Sequence, residues 1–316
     1  MPEMYDIAII GGGPAGLTAG LYASRARMKT VMIEKMVCGG QVLITDTIEN
    51  FPGFPEGIKG PELADLMSRQ AGHFGLEVRQ AEASGVILKK KENEAFSVEF
   101  TDGMKLEALS LIVSTGARWN SLGVPGEKEL TGRGVSYCAT CDGPLFKGKE
   151  VAVIGGGDTA LEDALFLTRF ADKVTIIHRR DRFRGTKILQ ERVGANSKIE
   201  VRFNSVAVSI SGSRKCEAVE IKDVRTGGTD SIKVSGVFVL IGMAPNSESF
   251  KGIIGMDDKG YIICDDDMKT SIDGIFACGD VRRKLLRQVV TACGDGATAA
   301  FSAQHYVERL KGVEYK

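Results

Sequence analysis

Residues 137–144 read YCATCDGP, with Cys138 and Cys141 three positions apart and Asp142 directly after the second. Three chemistries suit such a pair. It is half of a zinc site, two inert buried thiols, or a disulfide that opens and closes while the aspartate moves the proton. A structural zinc site takes four Cys or His ligands. The other five cysteines, Cys38, Cys216, Cys264, Cys278 and Cys293, are isolated, and no second C-x-x-C occurs. His73, His178 and His305 are the only histidines and lie far apart, which argues against a metal site and against a histidine-based triad. Inert thiols sit poorly beside a charged Asp142. A C-x-x-C beside a helix start lowers a thiol pKa and supports a reversible disulfide. Asp142 also has a compatible reading as a helix cap. The five isolated cysteines are expected to be structural, and no metal is expected.

The elements around this pair form a repeat. Strand-like YDIAII (5–10) runs into Gly11-Gly12-Gly13-Pro14-Ala15-Gly16, then helix-like LTAGLYASRA (17–26) and strand-like KTVMIE (29–34). Later, EVAVI (150–154) runs into Gly155-Gly156-Gly157-Asp158-Thr159-Ala160, then helix-like LEDALFLTRFA (161–171) and strand-like KVTIIH (173–178). Each is a βαβ unit with G-x-G-x-x-G/A at its first turn. The glycines allow a tight turn, close approach to a pyrophosphate and close helix–strand packing. The helix N-terminus offers that anion free N–H groups and a positive dipole end. Gly16 to Glu34 is 18 positions, and Ala160 to His178 is also 18.

The copies differ where the ligand is chosen. Glu34 suits a ribose 2′-hydroxyl, as in FAD or NAD, and would repel a 2′-phosphate. The second copy has His178-Arg179-Arg180-Asp181-Arg182-Phe183-Arg184 instead. Arginines grip phosphate through a planar, permanently charged fork, so this site suits NADPH. One bound flavin and one visiting nicotinamide is the economical pairing, with FAD in the first module and NADPH in the second.

The fold class expected is α/β, with two Rossmann-like three-layer dinucleotide-binding domains, the second inserted into the first. The first would comprise residues 1–117 and 245–316, the second 118–244. Between the motifs lie Gly39-Gly40-Gln41, a turn-rich loop Asn50-Phe51-Pro52-Gly53-Phe54-Pro55, and a helix at 60–75. A hairpin is expected at 85–103 with a solvated turn at 89–94, and a buried strand at 109–117. An alternating sheet at 201–223 and strands near 234–246 and 274–278 follow, and then a last helix over 296–310 that opens with small residues.

Composition limits the alternatives. The 316 residues suit about two domains, and 43% hydrophobic with 26% charged residues is an ordinary globular balance. Lys plus Arg equals Asp plus Glu at 41 each, which argues against a nucleic-acid or anionic-membrane binder. No apolar run nears the roughly 18–20 residues of a membrane span, and the amino-terminal segment reads as a strand rather than a signal peptide. An odd, scattered set of seven cysteines fits a reducing cytoplasm.

Taken in order, GGGPAG, GGQ, ENFPGFP, STGA, CATCDG, GGGDTA, HRRDRFR, IGMAPN, FACGD and RQVVTACGDGATAA resemble the low-molecular-weight thioredoxin reductases, FAD- and NADPH-dependent disulfide reductases, over essentially the whole chain. The resemblance implies that Gly11, Gly13, Ala15 and Gly16 line the FAD pyrophosphate turn, and that Glu34, Gly40, Gln41, Asn50 and Ala117 contact FAD. Gly279 and Asp280 would lie by its ribityl chain, with Arg287, Gln288 and Val289 beside the flavin. Gly155, Gly157, Asp158 and Thr159 would form the NADPH turn. Arg179, Arg180 and Arg184 would take the 2′-phosphate, and His178 would lie near the adenosine. Cys138 and Cys141 would be the redox disulfide, with Cys141 nearer the flavin, Cys138 the interchange thiol and Asp142 the acid/base. Thioredoxin would be the substrate and a homodimer the assembly. One small-domain position cannot serve both half-reactions, so rotation about segments 115–120 and 242–247 is expected. A related flavin reductase acting on another thioredoxin-like or peroxiredoxin-system partner is the alternative.

Overall fold

The computed structural model describes residues 4–45, 47–89 and 94–313. The expected turn at 89–94 falls largely outside them. The described residues hold six α-helices: α1 (Pro14–Arg25), α2 (Gly60–His73), α3 (Ala139–Asp142), α4 (Asp158–Leu167), α5 (Lys187–Ala195) and α6 (Val289–Lys311). The chain divides into two compact units, one running up to Arg118 and again from Ala244, the other spanning Trp119–Met243.

In the first unit, the parallel core of the sheet runs Glu77–Gln80, Thr30–Glu34, Met4–Ile10, Lys105–Val113. The nine-residue strand Lys105–Val113 is long enough to take two partners on its far edge. Its first half pairs antiparallel with Phe96–Phe100, and its end pairs parallel with Ile275–Ala277. The first strand alternates with period two, and both faces are covered. Ile7 and Ile9 pack with α1 and α6, while Ala8 and Ile10 pack on the side of Val98, Phe100 and Phe250. Helices, parallel sheet and antiparallel layer make three layers.

The second unit repeats this plan. Its parallel sheet runs Val135–Ser136, Gly236–Val239, Glu150–Ile154, Lys173–Ile177, Ile199–Arg202. Val151 and Val153 face Leu161, Ala164 and Leu189 of α4 and α5; Ala152 and Ile154 face the antiparallel sheet Ser205–Ser211, Ala218–Asp223, Thr229–Lys233.

One expectation is corrected. The last helix begins at Val289, seven residues before the expected start. Gln288 and Thr291 form a reciprocal capping box there, which satisfies two donors at the helix start. Gly294 and Gly296 therefore lie inside the helix, where glycine costs about 1 kcal/mol relative to alanine. Packing explains one of them. A Cβ at Gly296 would lie 2.2 Å from the carbonyl oxygen of Ala15 on α1, whereas one at Gly294 would meet nothing within 4 Å.

The two glycines should therefore respond oppositely to the same change. Gly294→Ala should stabilise by up to about 1 kcal/mol, and Gly296→Ala should destabilise by about 1–3 kcal/mol through overpacking. Urea denaturation of the two variants side by side checks this, and equal effects would refute the close-packing account.

Candidate active site

Cys138 and Cys141 form a disulfide with their Cα atoms 5.3 Å apart. The strand Val135–Ser136 delivers the pair and is held in parallel register, with Ser136 opposite Phe238. Cys138 is the N-cap of α3, and its Sγ accepts the Cys141 N–H at 3.2 Å. The motif thus starts a helix, which is where a cysteine meets unpaired N–H donors. Asp142 closes the same turn and makes no side-chain cap bond to the 3-10 turn that follows. Instead its Oδ2 accepts the Ser136 hydroxyl at 2.6 Å.

Two residues around the motif carry no signal in the sequence. Ser136 lies two positions before Cys138 and accepts its N–H at 3.1 Å. Glu127 is 4% exposed and accepts from Leu122 N, Gly123 N and the Tyr137 hydroxyl at 2.8–2.9 Å. Burial and then this hydrogen bond push the Tyr137 phenol up to about 12. The residue before Cys138 is therefore a fixed donor. The Tyr137 ring also lies 5.7 Å from that of Trp119.

In the first unit, Gly13 is the N-cap of α1 and gives it no side-chain cap bond. A Cβ at Gly13 would meet only open space, while one at Gly16 would lie 1.9 Å from the Gly11 carbonyl oxygen. The turn is thus tight behind and open in front. Glu34 takes the Gly12 N–H at 2.8 Å through Oε2 and the Met36 N–H at 3.0 Å through Oε1. Gly40 approaches Gly13, since its Cβ would come 3.3 Å from the Gly13 Cα. Gln41 donates to the carbonyl of Ala117, and Asn50 donates to Gln288 at 3.0 Å. Val289 packs with Phe51 and Phe54 over the cluster of Val42, Ile48 and Ile58.

Gly279, at φ +74°, brings its backbone against Ala15, whose Cβ would lie 2.8 Å from one placed there. Beside it are two buried polar atoms without a partner, Asp280 Oδ1 and Arg287 Nε. Burial pushes the Asp280 carboxyl up, against the pull of Lys284 and Arg287. Arg287 lies over the Tyr261 ring at 4.2 Å. Orphaned donors and acceptors at such depth are costly, and a polar dinucleotide with hydroxyls and carbonyls fits them. Arg282 and Lys284 of the basic run after Asp280 are turned inward. Asp295 of α6 accepts from Gly279 N at 3.1 Å, Arg282 at 2.9 and 3.3 Å, and Lys284 at 2.7 Å. Its role is invisible in the sequence because its partners lie 11–16 residues away.

In the second unit, α4 likewise starts at a glycine, Gly157, with no side-chain cap bond and open space where a Cβ would stand. Gly155 has none to spare, because a Cβ there would lie 2.5 Å from the Leu240 carbonyl oxygen. The arginine loop folds onto this turn. Arg184 N donates to the Gly156 carbonyl at 2.7 Å, and Asp158 Oδ1 accepts Thr186 N at 2.7 Å. Thr159 follows on the first turn of α4. Arg179, Arg180 and Arg184 are exposed, and none has an ion-pair partner among the described residues. His178 is buried against Gly156, and that burial lowers its pKa. Its ring is a neutral wall with Phe183 and Phe203 beside it.

The remaining cysteines are free. Burial raises the pKa of Cys38, Cys216, Cys264, Cys278 and Cys293, which keeps them as thiols and poor nucleophiles. Among the described residues no three His, Cys, Asp or Glu side chains are grouped to hold a metal, and no helix is long and apolar enough to cross a membrane.

The chain matches a family model described as pyridine nucleotide-disulphide oxidoreductase over residues 5–296. It is 47% identical over 310 residues to the thioredoxin reductase of Bacillus subtilis (strain 168), covering 98% of this chain and 96% of that protein. The crystal structure of thioredoxin reductase from Streptococcus pyogenes MGAS5005 matches with a TM-score of 0.93 at 45% identity, covering 98% and 100% of the two chains. That of the Lactococcus lactis enzyme, in its FR conformation, matches with a TM-score of 0.66 at 43% identity, covering 96% and 99%. The chain belongs to the pyridine nucleotide-disulphide oxidoreductases and, among them, to the thioredoxin reductases.

Proposed function

We propose that the chain uses NADPH to reduce the disulfide of a thioredoxin, with Cys138 and Cys141 as the redox pair. The observation that carries this reading is the Cys138–Cys141 disulfide at the start of α3, with Asp142 in the same turn. The family works with FAD and NADPH. When bound, FAD supplies two-electron chemistry, taking hydride from a nicotinamide and delivering electrons to a disulfide.

The residues that would hold it are Gly11, Gly13, Ala15 and Gly16 at the pyrophosphate and Glu34 at the ribose. Gly40, Gln41, Asn50, Ala117, Gly279, Asp280, Arg287, Gln288 and Val289 would surround the rest. Gly155, Gly157, Asp158 and Thr159 would take the NADPH pyrophosphate, with His178 by the adenosine and Arg179, Arg180 and Arg184 on the 2′-phosphate. Support comes from the two glycine turns without side-chain caps, the orphaned polar atoms at Asp280 and Arg287, and the unpaired arginines.

In the reduced chain both cysteines are thiols. Asp142 takes the proton of Cys138 as that sulfur attacks the thioredoxin disulfide. A mixed disulfide forms, and one thioredoxin sulfur leaves and takes up a proton. Cys141 then attacks the Cys138 sulfur. The internal disulfide is restored and the second thioredoxin thiol is released, so two electrons and two protons have passed to thioredoxin.

The proposed NADPH residues and the redox pair share the second unit, while the proposed flavin residues lie on the first. The second unit therefore rotates between half-reactions about segments 115–120 and 242–247. Supporting this, Gly116 and Gly242 hold φ of +71° and +105° there, backbone that glycine adopts readily. The protein acts in the cytoplasm as a homodimer. Its five free cysteines favour a reducing compartment, and the family likeness favours the dimer.

Two experiments test the assignment. Cys138→Ser should lose thioredoxin reduction by about 10³-fold or more, while NADPH still bleaches the flavin in a stopped-flow trace. Retained turnover would remove Cys138 from the mechanism. Arg180→Ala and Arg184→Ala should each raise the KM for NADPH about 10- to 100-fold and leave that for NADH nearly unchanged. Equal losses with both coenzymes would dissociate the loop from the 2′-phosphate.

A further inference from the structure

We infer that Ser136 is a positioning residue for the thiol chemistry, its hydroxyl holding the Asp142 carboxyl in one place whether that carboxyl is charged or neutral. This deepens the proposed role of Asp142 and rests on it.

Ser136 is 4% exposed and ends a strand locked in the parallel sheet. Its Oγ has three polar neighbours. Asp142 Oδ2 is at 2.6 Å, the Cys138 N–H donates to it at 3.1 Å, and the Cys138 carbonyl oxygen is at 3.3 Å. A serine hydroxyl has one rotatable donor and two acceptor sites, and these neighbours use them in both protonation states. With Asp142 ionised, the hydroxyl donates to Oδ2 and accepts from Cys138 N–H. With Asp142 protonated, the carboxyl donates to Oγ, and the hydroxyl turns to the Cys138 carbonyl. The Cys138 N–H bond persists throughout.

The proton can therefore arrive at and leave Asp142 without any buried group losing its partner, and without the carboxyl or Cys138 moving. An alanine offers neither the donor nor the acceptor. A half-buried carboxylate that has lost a hydrogen bond is destabilised, and its preferred position is no longer that of the reactive geometry.

The test is a double-mutant cycle on the FAD-loaded protein with NADPH and oxidised thioredoxin, using the unaltered chain, Ser136→Ala, Asp142→Asn and the double variant. Ser136→Ala should lower kcat about 10- to 100-fold, with the KM for thioredoxin and the rate of flavin bleaching by NADPH unchanged. In the Asp142→Asn background the same change should cost less than about 2-fold, because an amide carries no acidic proton for the serine to position. After chemical reduction, exchange of the dithiol with a small aromatic disulfide, read without NADPH, should slow in parallel. Additive losses in the double variant would overturn the inference, as would a Ser136→Ala protein with unaltered kcat. Failure of the underlying reading looks different: Asp142→Asn would itself turn over like the unaltered chain, which removes the aspartate and the serine's role with it.

Discussion

The N-termini of α1 and α4 carry unpaired N–H groups, and much of the structure is arranged around them. Most helices silence such donors with a serine, threonine or aspartate. Here both helices begin at a glycine that gives no side-chain cap bond, with open space where its Cβ would stand. A helix end without side-chain partners is met by water or an anion, and the proposed dinucleotide phosphates would be such anions. The parallel sheets follow from this. A βα turn of this shape needs a strand and a helix packed closely enough that no Cβ fits at Gly16, and that closeness is supplied by a sheet buried on both faces.

Charge is organised to match. The two glycine turns offer backbone dipoles to the proposed pyrophosphates, and full charges lie elsewhere. Asp295 gathers Arg282 and Lys284 together with a backbone N–H. That sets one carboxylate against two largely covered cations and ties down the loop that carries Asp280. Asp280 and Arg287 lie close to this cluster yet keep one polar atom each unsatisfied. Buried polar atoms without partners call for an explanation, and the proposed flavin contacts at Asp280 and Arg287 would supply one. In the second unit Arg179, Arg180 and Arg184 lie in solvent without an ion-pair partner among the described residues, where the proposed 2′-phosphate would be a counter-charge.

Features set by neighbours in sequence were legible without a structure. The two glycine motifs, the equal spacing to Glu34 and His178, and the C-x-x-C at a helix start all lie within short windows. Apolar runs leading into the glycine motifs mark the parallel strands, and alternation marks the antiparallel sheet within 201–223. What escaped depends on contacts across the chain. The start of α6 was placed late because Gly294 and Gly296 lower helix propensity, and only the backbone of Ala15 explains why Gly296 must stay. Ser136, Glu127 and Asp295 look like ordinary polar residues until folding brings their partners within about 3 Å. The inward turn of Arg282 and Lys284 was hidden for the same reason, since a basic run reads as a solvated surface.

The residue at the end of the second strand is coupled to the middle glycine of its turn in both units. Glu34 accepts the N–H of Gly12, 22 positions earlier. His178, at the same offset, presses its ring on Gly156, where even a Cβ would lie 2.3 Å from Nδ1. Turn and strand end are thus one exchangeable cassette in each module. Redesigning coenzyme preference by grafting arginines alone would import the charge and leave the wrong wall behind it. The smallest transplantable piece is the glycine turn together with its strand-end residue and the loop that folds back over both.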